Sequence, residues 1–143
     1  MAHQVSVFME NKPGRLERIT EILSGGGVNI RAMTLATSSG GWGVLNLLVD
    51  RPQQAKDALT AGGFAAALRE IVVVQMPDAP GSLGRIVGLL AKSGLNIENA
   101  YGTVLREGQG AILVIDVDRT AEAGTLLRTS GVTTLEDDAV YRL

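Results

Sequence analysis

The chain of 143 residues is long enough for one ordinary domain or two very small ones, and its composition, 45% hydrophobic and 20% charged, excludes a highly charged disordered polymer. Because 13 Lys and Arg are scattered among 15 Asp and Glu, with a net charge of −2, we expect no nucleic acid and no membrane as partner. The absence of cysteine excludes disulfides, thiolate metal sites and a cysteine nucleophile.

The first predicted element is a strand at residues 5–9, where apolar residues alternate along the chain. No basic segment followed by an apolar stretch precedes it, so we expect no signal peptide. No later stretch approaches the ~18 uninterrupted apolar residues of a membrane helix. We therefore expect a cytoplasmic protein.

A helix is predicted after the break at residues 10–14. Its apolar residues recur at helical spacing and should pack on one face; they are Leu16, Ile19, Ile22 and Leu23. Glycines at residues 25–27 are expected to end this helix, because glycine tolerates the left-handed conformation of a C-terminal cap. A second strand should then start at Val28, and residues 38–41 are typical of a hairpin turn that leads into a third strand.

The third strand ends at Asp50, which we interpret as the N-cap of a second helix with Pro52 at the favoured first position. Ala55, Ala58 and Leu59 supply the apolar stripe of this helix, and the glycines at residues 62–63 should end it. A last strand is predicted at residues 64–68.

The rest of the chain repeats this pattern. Residues 13–30 align with residues 80–97, 67 positions later, and nine of the 18 aligned residues are identical. The third strand is repeated 68 positions later, which implies one inserted residue in the second hairpin. Its alternating apolar residues are Leu45, Leu47 and Val49 in the first copy and Leu113, Ile115 and Val117 in the second.

The elements of the second copy follow from this alignment. Leu83, Ile86, Val87 and Leu90 are expected to form the packed face of its first helix, with Gly94 near the helix end. A strand should start at Leu95, a hairpin turn is predicted at residues 106–109, and Asp118 or Thr120 should cap the second helix, which ends at Gly131. A last strand is expected at residues 132–135, and residues 140–143 are interpreted as an additional edge strand.

The resulting order is βαββαβ, twice. This order is typical of the α+β ferredoxin-like fold, in which two helices cover one face of a four-stranded antiparallel sheet. We therefore predict two tandem ferredoxin-like modules, at residues 1–70 and 71–143, with the boundary near Glu70.

Two duplicated segments are candidate ligand sites. The first is the strand-to-helix loop, Asn11 to Gly14 and Asp78 to Gly81, where backbone N–H groups and the helix dipole favour an anion such as a carboxylate. On the loops alone, the simpler interpretation is favoured, in which Pro-Gly only separates a strand from a helix. The second is Asn29 with its copy Asn96, whose amides can bind both a carboxylate and an ammonium group. Capping of a local turn explains these asparagines equally well.

The two segments together resemble the signature of ACT domains, and the resemblance spans nearly the whole chain. Members of that family are non-catalytic regulatory modules attached to enzymes of amino-acid metabolism, such as phosphoglycerate dehydrogenase, aspartokinase and the small subunit of acetolactate synthase. In members that bind amino acids, the ligand lies where two modules meet, between the strand-to-helix loop of one and the Gly-x-Asn-Ile segment of the other. The resemblance therefore implies ligand contacts from Asn11, Pro13, Gly14, Asn29 and Ile30, and from Asp78, Pro80, Gly81, Asn96 and Ile97.

The second copy departs from the first inside this signature. Asp78 stands where the first copy has Asn11, and its carboxylate should favour the ammonium end of an amino acid. Pro77 replaces Glu10 and stiffens the loop. The two sites are therefore expected to differ in affinity, or only one is used.

The function predicted from these features is a regulatory protein that is not an enzyme, binds a small amino acid, forms a homodimer and needs no cofactor. One alternative is a small regulatory subunit of an amino-acid biosynthetic enzyme, of the acetolactate synthase type. A second alternative is a small enzyme on the same fold. In that case Arg15, Arg18 and Arg85 would bind anions, although Arg18 and Arg85 are also explained as flanks of a helix stripe. Trp42 is interpreted as packing at the sheet edge, with contact to a partner as the alternative.

Overall fold

The computed structural model describes residues 1–106 and 110–143. Its chain divides into two compact units, which we call module 1 and module 2. Module 1 comprises residues 3–69 together with residues 141–143, and module 2 comprises residues 70–140 together with residues 1–2. The elements in chain order are β1 (His3–Glu10), α1 (Arg15–Gly25), β2 (Ile30–Thr37), β3 (Trp42–Val49), α2 (Pro52–Ala61), β4 (Ala65–Glu70), β5 (Val72–Met76), α3 (Ser82–Lys92), β6 (Ile97–Arg106), β7 (Gly110–Val117), α4 (Thr120–Thr129), β8 (Thr133–Thr134) and α5 (Asp137–Tyr141).

The two sheets have the same topology. Each is four-stranded, in the order β2-β3-β1-β4 in the first and β6-β7-β5-β8 in the second. The two strands of each hairpin pair antiparallel with each other, and the second of them, β3 or β7, also pairs antiparallel with the first strand of its module. The α+β fold of two ferredoxin-like modules, predicted from the order of the elements, is confirmed.

Each module has its own hydrophobic core between its two long helices and its sheet. In module 1 this core includes Ile19 and Leu23 from α1, and in module 2 it includes Ile86 and Leu90 from α3. The helical spacing of the apolar residues predicted these faces, because one side of each helix must be removed from water. Leu83 departs from the prediction, since 48% of its surface is exposed at the start of α3.

Several boundaries differ from those expected. Val28 and Leu95 are buried residues that precede the second strands, which start at Ile30 and Ile97. The last strand of module 2 contains only two residues, and residues 137–141 form a short helix, so the additional edge strand expected at residues 140–143 is wrong. The hairpin turn predicted at residues 38–41 is confirmed, whereas the one predicted at residues 106–109 lies largely outside the described residues.

The predicted caps of the second helices are also wrong. Arg51 and Arg119 occupy the N-cap positions of α2 and α4, and neither helix has a side-chain cap among the described residues. Pro52 lies in the first turn as predicted. The carboxylates of Asp50 and Asp118 instead accept hydrogen bonds from the backbone N–H groups of Asn29 and Asn96. No helix in residues 1–106 or 110–143 is both long and apolar enough to cross a membrane.

Candidate functional site

The strand-to-helix loops place a left-handed glycine at the start of each first helix. Gly14 is the N-cap of α1 with φ 87°, and Gly81 is the N-cap of α3 with φ 88°. A Cβ atom at either position would meet no described atom within 4 Å. Glycine is therefore required by the backbone conformation and not by a close neighbour. Pro13, Gly14, Pro80 and Gly81 are all exposed.

The asparagine segments are held by a duplicated pair of hydrogen bonds. The backbone N–H of Asn29 donates to Oδ1 of Asp50 at 2.8 Å, and the backbone N–H of Asp50 donates to the carbonyl oxygen of Asn29 at 3.1 Å. In module 2, Asn96 donates to Oδ1 of Asp118 at 3.1 Å, and Asp118 donates back at 3.1 Å. Each aspartate thus holds the asparagine backbone at the end of its sheet.

A second contact fixes the same segment from the side of the following helix. In module 2, Nη2 of Arg119 donates to the carbonyl oxygen of Gly94 at 2.7 Å. In module 1, Nε2 of Gln54 donates to the carbonyl oxygen of Gly26. Because the aspartate and the start of the next helix both bind this segment, the backbone around each asparagine has a defined conformation. The signal of this arrangement in the sequence is the repetition of Asp50 at Asp118, although the same residues also fit a helix cap.

The two asparagine side chains have different surroundings. Both residues are exposed, and the amide of Asn29 makes no hydrogen bond to any residue that the structure describes. In module 2, Nδ2 of Asn96 donates to the Glu98 carboxylate at 3.1 Å. The residue at the position of Glu98 in module 1 is Arg31, whose Nη2 donates to the carbonyl oxygen of Tyr141 at 3.3 Å. An anionic group therefore binds the side chain of Asn96, and the equivalent position of module 1 has a cationic residue that binds elsewhere.

The two predicted segments lie at opposite ends of each module. The backbone N–H of Asn11 donates to the carbonyl oxygen of Gly41 in the β2–β3 turn at 2.8 Å, whereas Asn29 contacts Asp50 at the far end of β3. The 11-residue helix α1 connects the two ends and spans about 16 Å. Asp78 and Asn96 are separated by α3 in the same way. One module by itself therefore does not bring the two segments together.

The remaining predicted residues are two isoleucines and Asp78. Ile30 and Ile97 begin β2 and β6, and both pack against the core of their module. Asp78 is half-buried in the loop before α3. Within the described residues, no group of three or more His, Asp or Glu side chains has the arrangement of a metal site.

The arginines considered as anion-binding residues have different partners. Nη1 of Arg18 bonds Glu21 at 3.3 Å on the exposed face of α1. Its copy Arg85 instead donates to the carbonyl oxygen of Ser130 at 3.0 Å. Arg15 lies 3.6 Å from the carboxylate of Glu10. Each of these three guanidinium groups therefore has a partner within its own module.

Comparison with known proteins reveals one family and several structures of the same fold. The sequence model of the ACT domain pair matches residues 1–143. Protein BT0572 from Bacteroides thetaiotaomicron is similar at 31% identity, with a TM-score of 0.91 over 99% of this chain and 96% of that one. The ligand-free regulatory subunit of aspartate kinase from Thermus thermophilus has 18% identity and a TM-score of 0.65 over 90% and 91% of the two chains.

A third similar structure is the regulatory subunit of aspartate kinase from Thermus flavus. It has 17% identity and a TM-score of 0.64 over 90% of this chain and 92% of that one. At these identities, both aspartate kinase subunits show the fold alone. None of the curated proteins compared with this sequence matches it.

Proposed function

Since the chain belongs to the ACT domain pair family, we propose that it is a non-catalytic regulatory protein that binds a small amino acid and transmits that signal to a partner protein or to its own oligomer. The observation that carries this proposal is the duplicated Asn–Asp pair, in which Asn29 and Asn96 are held by their backbones while their side chains remain exposed. A backbone held in this way presents an amide at a constant position, which lowers the entropic cost of binding a small ligand.

The chemistry of the two segments fits the common part of every amino acid. A carboxamide can donate to the α-carboxylate and accept from the α-ammonium group. The N–H groups at the start of α1 and α3 add donors for a carboxylate, assisted by the helix dipole. These groups recognise the backbone of an amino acid and leave the choice of side chain to other residues.

The two segments of one module are too far apart to bind the same small amino acid. Because α1 separates Asn11 from Asn29 by about 16 Å, a small amino acid that contacts both kinds of segment must take them from two modules. A homodimer offers further pairs of modules, and we include it in the proposal. The location of the ligand at such a junction stays a prediction.

A second candidate function is a regulatory subunit that acts only in complex with an amino-acid biosynthetic enzyme. The resemblance to two regulatory subunits of aspartate kinase favours it. The two candidates are separated by affinity purification from the native cell. A stoichiometric large enzyme in the eluate supports the subunit, and a chain that elutes alone supports the independent sensor.

A thermal-shift screen of the twenty amino acids tests the binding. A ligand at 100 times its dissociation constant stabilises the folded state by about 2.7 kcal/mol. We expect one amino acid or a small group to raise the melting temperature, and we expect Asn29→Ala or Asn96→Ala to remove the shift. Gln53→Ala, at an exposed position of α2, is the control and should keep it. Flat curves for all twenty amino acids would contradict the proposal.

A further inference from the structure

Both modules contain a cleft at the same place, between the end of the first strand, the start of the first helix and the start of the last strand. The cleft of module 1 has a volume of about 360 Å³, and that of module 2 about 300 Å³. These volumes lie within the range of small-molecule sites. We call them cleft 1 and cleft 2.

The framework of the two clefts is the same. Met9 in cleft 1 corresponds to Met76 in cleft 2, and both glycines that precede the last strand, Gly63 and Gly131, have positive φ angles, of 90° and 82°. The same backbone therefore forms both depressions. Differences in the lining between them are not required by the fold.

The two clefts differ at each position where cleft 1 has an aromatic or a charged residue. Cleft 1 is lined by Phe8, Glu10, Arg15, Trp42 and Phe64. The corresponding residues of module 2, in the same order, are Gln75, Pro77, Ser82, Gly110 and Val132. At these positions cleft 1 thus has three aromatic rings and two charged groups, and cleft 2 has none. The charged residue that lines cleft 2 is Arg85, whose equivalent Arg18 does not line cleft 1.

The aromatic wall of cleft 1 is large and exposed. The rings of Phe8 and Trp42 are stacked, with centroids 4.9 Å apart and an interplanar angle of 7°, and the exposed fractions of the two residues are 52% and 45%. With the half-buried Phe64, they account for both phenylalanines and the single tryptophan of the chain. An open stacked pair offers its free face to a further aromatic ring.

The charged side of cleft 1 is positive. The carboxylate of Glu10 is bound by Nζ of Lys12 at 2.7 Å and lies 3.6 Å from Nη2 of Arg15. Two cations therefore surround one anion, and the Arg15 side chain is 45% exposed. A guanidinium group has five N–H donors in a planar fork that matches a carboxylate, so Arg15 can hold a carboxylate of the ligand while it remains near Glu10.

We propose that cleft 1 is a binding site for a carboxylate carried on an aromatic ring, with the ring against Phe8 and Trp42 and the carboxylate on Arg15. Two sources share this chemistry, an aromatic α-amino acid and an aromatic acid without an amino group. Glu10 and Arg15 flank the Asn11–Gly14 loop of the proposed function, whereas the Asn29 segment lies at the opposite end of module 1. A substitution at Asn29 therefore tests the proposed function without changing cleft 1.

Trp42 provides the readout, because it is the only tryptophan and its fluorescence can be excited selectively. The probes are 3-phenylpropionate, L-phenylalanine, phenethylamine and propionate, added to the full-length protein. We expect a saturable change in Trp42 emission with 3-phenylpropionate. L-Phenylalanine should give the same change if the amino-acid source is accepted, whereas phenethylamine lacks the carboxylate and propionate lacks the ring, so neither should produce it.

The variants replace residues of cleft 1 by their equivalents in cleft 2. Arg15→Ser and Phe8→Gln should each weaken the binding at least tenfold, and both substituents already occupy the same place in the same fold at Ser82 and Gln75. Arg18→Ser removes another arginine of α1 that is paired with Glu21, and it should leave the affinity unchanged. Asn29→Ala should also leave it unchanged, which separates this site from the asparagine segments.

Two results would overturn the proposal. The first is the absence of a saturable change with both aromatic carboxylates, 3-phenylpropionate and L-phenylalanine, or the same affinity in Arg15→Ser as in the unchanged protein. The second is a Trp42 emission that changes with protein concentration in the absence of any probe, and no longer does so in Phe8→Gln. That result would show that a second copy of the chain covers the aromatic wall. Far-ultraviolet circular dichroism of each variant verifies that the fold is retained.

Discussion

Asn29 and Asp50 exchange two hydrogen bonds, one from the backbone N–H of Asn29 to the Asp50 carboxylate at 2.8 Å and one from the backbone N–H of Asp50 to the Asn29 carbonyl oxygen at 3.1 Å. The pair is repeated at Asn96 and Asp118. Asp50 therefore positions the asparagine without contacting its side chain. A substitution at Asp50 should affect both the stability of module 1 and the conformation of the candidate ligand segment.

We expect Asp50→Ala to lower the free energy of unfolding by about 1 kcal/mol, the usual net value of one hydrogen bond. Urea denaturation measures this change, and Asp50→Asn should restore most of it because the amide oxygen still accepts. Amide hydrogen exchange of Asn29 should be faster in the alanine variant and close to normal in the asparagine variant. Unchanged exchange at Asn29 in Asp50→Ala would show that the carboxylate does not position this segment.

Substitution by alanine should have opposite effects on stability at Gly81 and at Gly88. Gly81 has φ 88°, where an L-residue is strained, so Gly81→Ala should destabilise the protein by about 1 kcal/mol. Gly88 lies inside α3 with no described atom within 4 Å of an added Cβ, so Gly88→Ala should stabilise it by about 0.5–1 kcal/mol. Thermal unfolding of the two variants compares them directly. If both variants were stabilised, or both destabilised, this account of the strand-to-helix loop would be contradicted.

Lys12 controls the ionisation of Glu10. A hydrogen bond from Lys12, followed by the charges of Lys12 and Arg15, lowers the pKa of Glu10 below its ordinary value of 4.5. Because the pKa is lower in the folded protein, this stabilisation is present above pH 4.5 and is lost as the pH falls through the lowered pKa.

Carboxyl chemical shifts in an NMR titration test this relation. Lys12→Ala should raise the pKa of Glu10 towards its ordinary value, and Arg15→Ala should raise it less, because Arg15 contributes the weakest of the favourable interactions. Lys56→Ala alters an ion pair in α2 and should leave the Glu10 titration unchanged. A larger effect from Arg15→Ala than from Lys12→Ala would be incompatible with this order of causes.

The two asparagine segments should respond differently to changes in their neighbours. Nδ2 of Asn96 is bound to Glu98, so Glu98→Ala releases the amide and removes an anion that repels a ligand carboxylate. On the proposed function, we expect this variant to bind an amino acid more tightly through the Asn96 segment. Calorimetric titration measures the change, and Glu17→Ala, at another exposed glutamate, is the control. A lower affinity in Glu98→Ala would indicate that the carboxylate itself contacts the ligand.

The duplicated pattern and the order of the elements could be predicted from the amino-acid sequence. Alternation in the strands, helical spacing in Ile19 and Leu23, and glycine at the helix ends are local signals, because they depend on side-chain direction and backbone freedom within a few residues. The same local signals placed Asn29 and Asn96 at the start of the second strand of each module. They also supported the resemblance to ACT domains.

The tertiary structure alone decided which distant residues meet. Asp50 was interpreted as a cap for the helix that follows it, yet the sheet brings it to Asn29, which lies 21 positions earlier in the chain. Phe8, Trp42 and Phe64 gave no common signal in the sequence and line one cleft. Such contacts depend on strand register and on the packing between elements. Neither can be inferred from how far apart two residues are in the sequence.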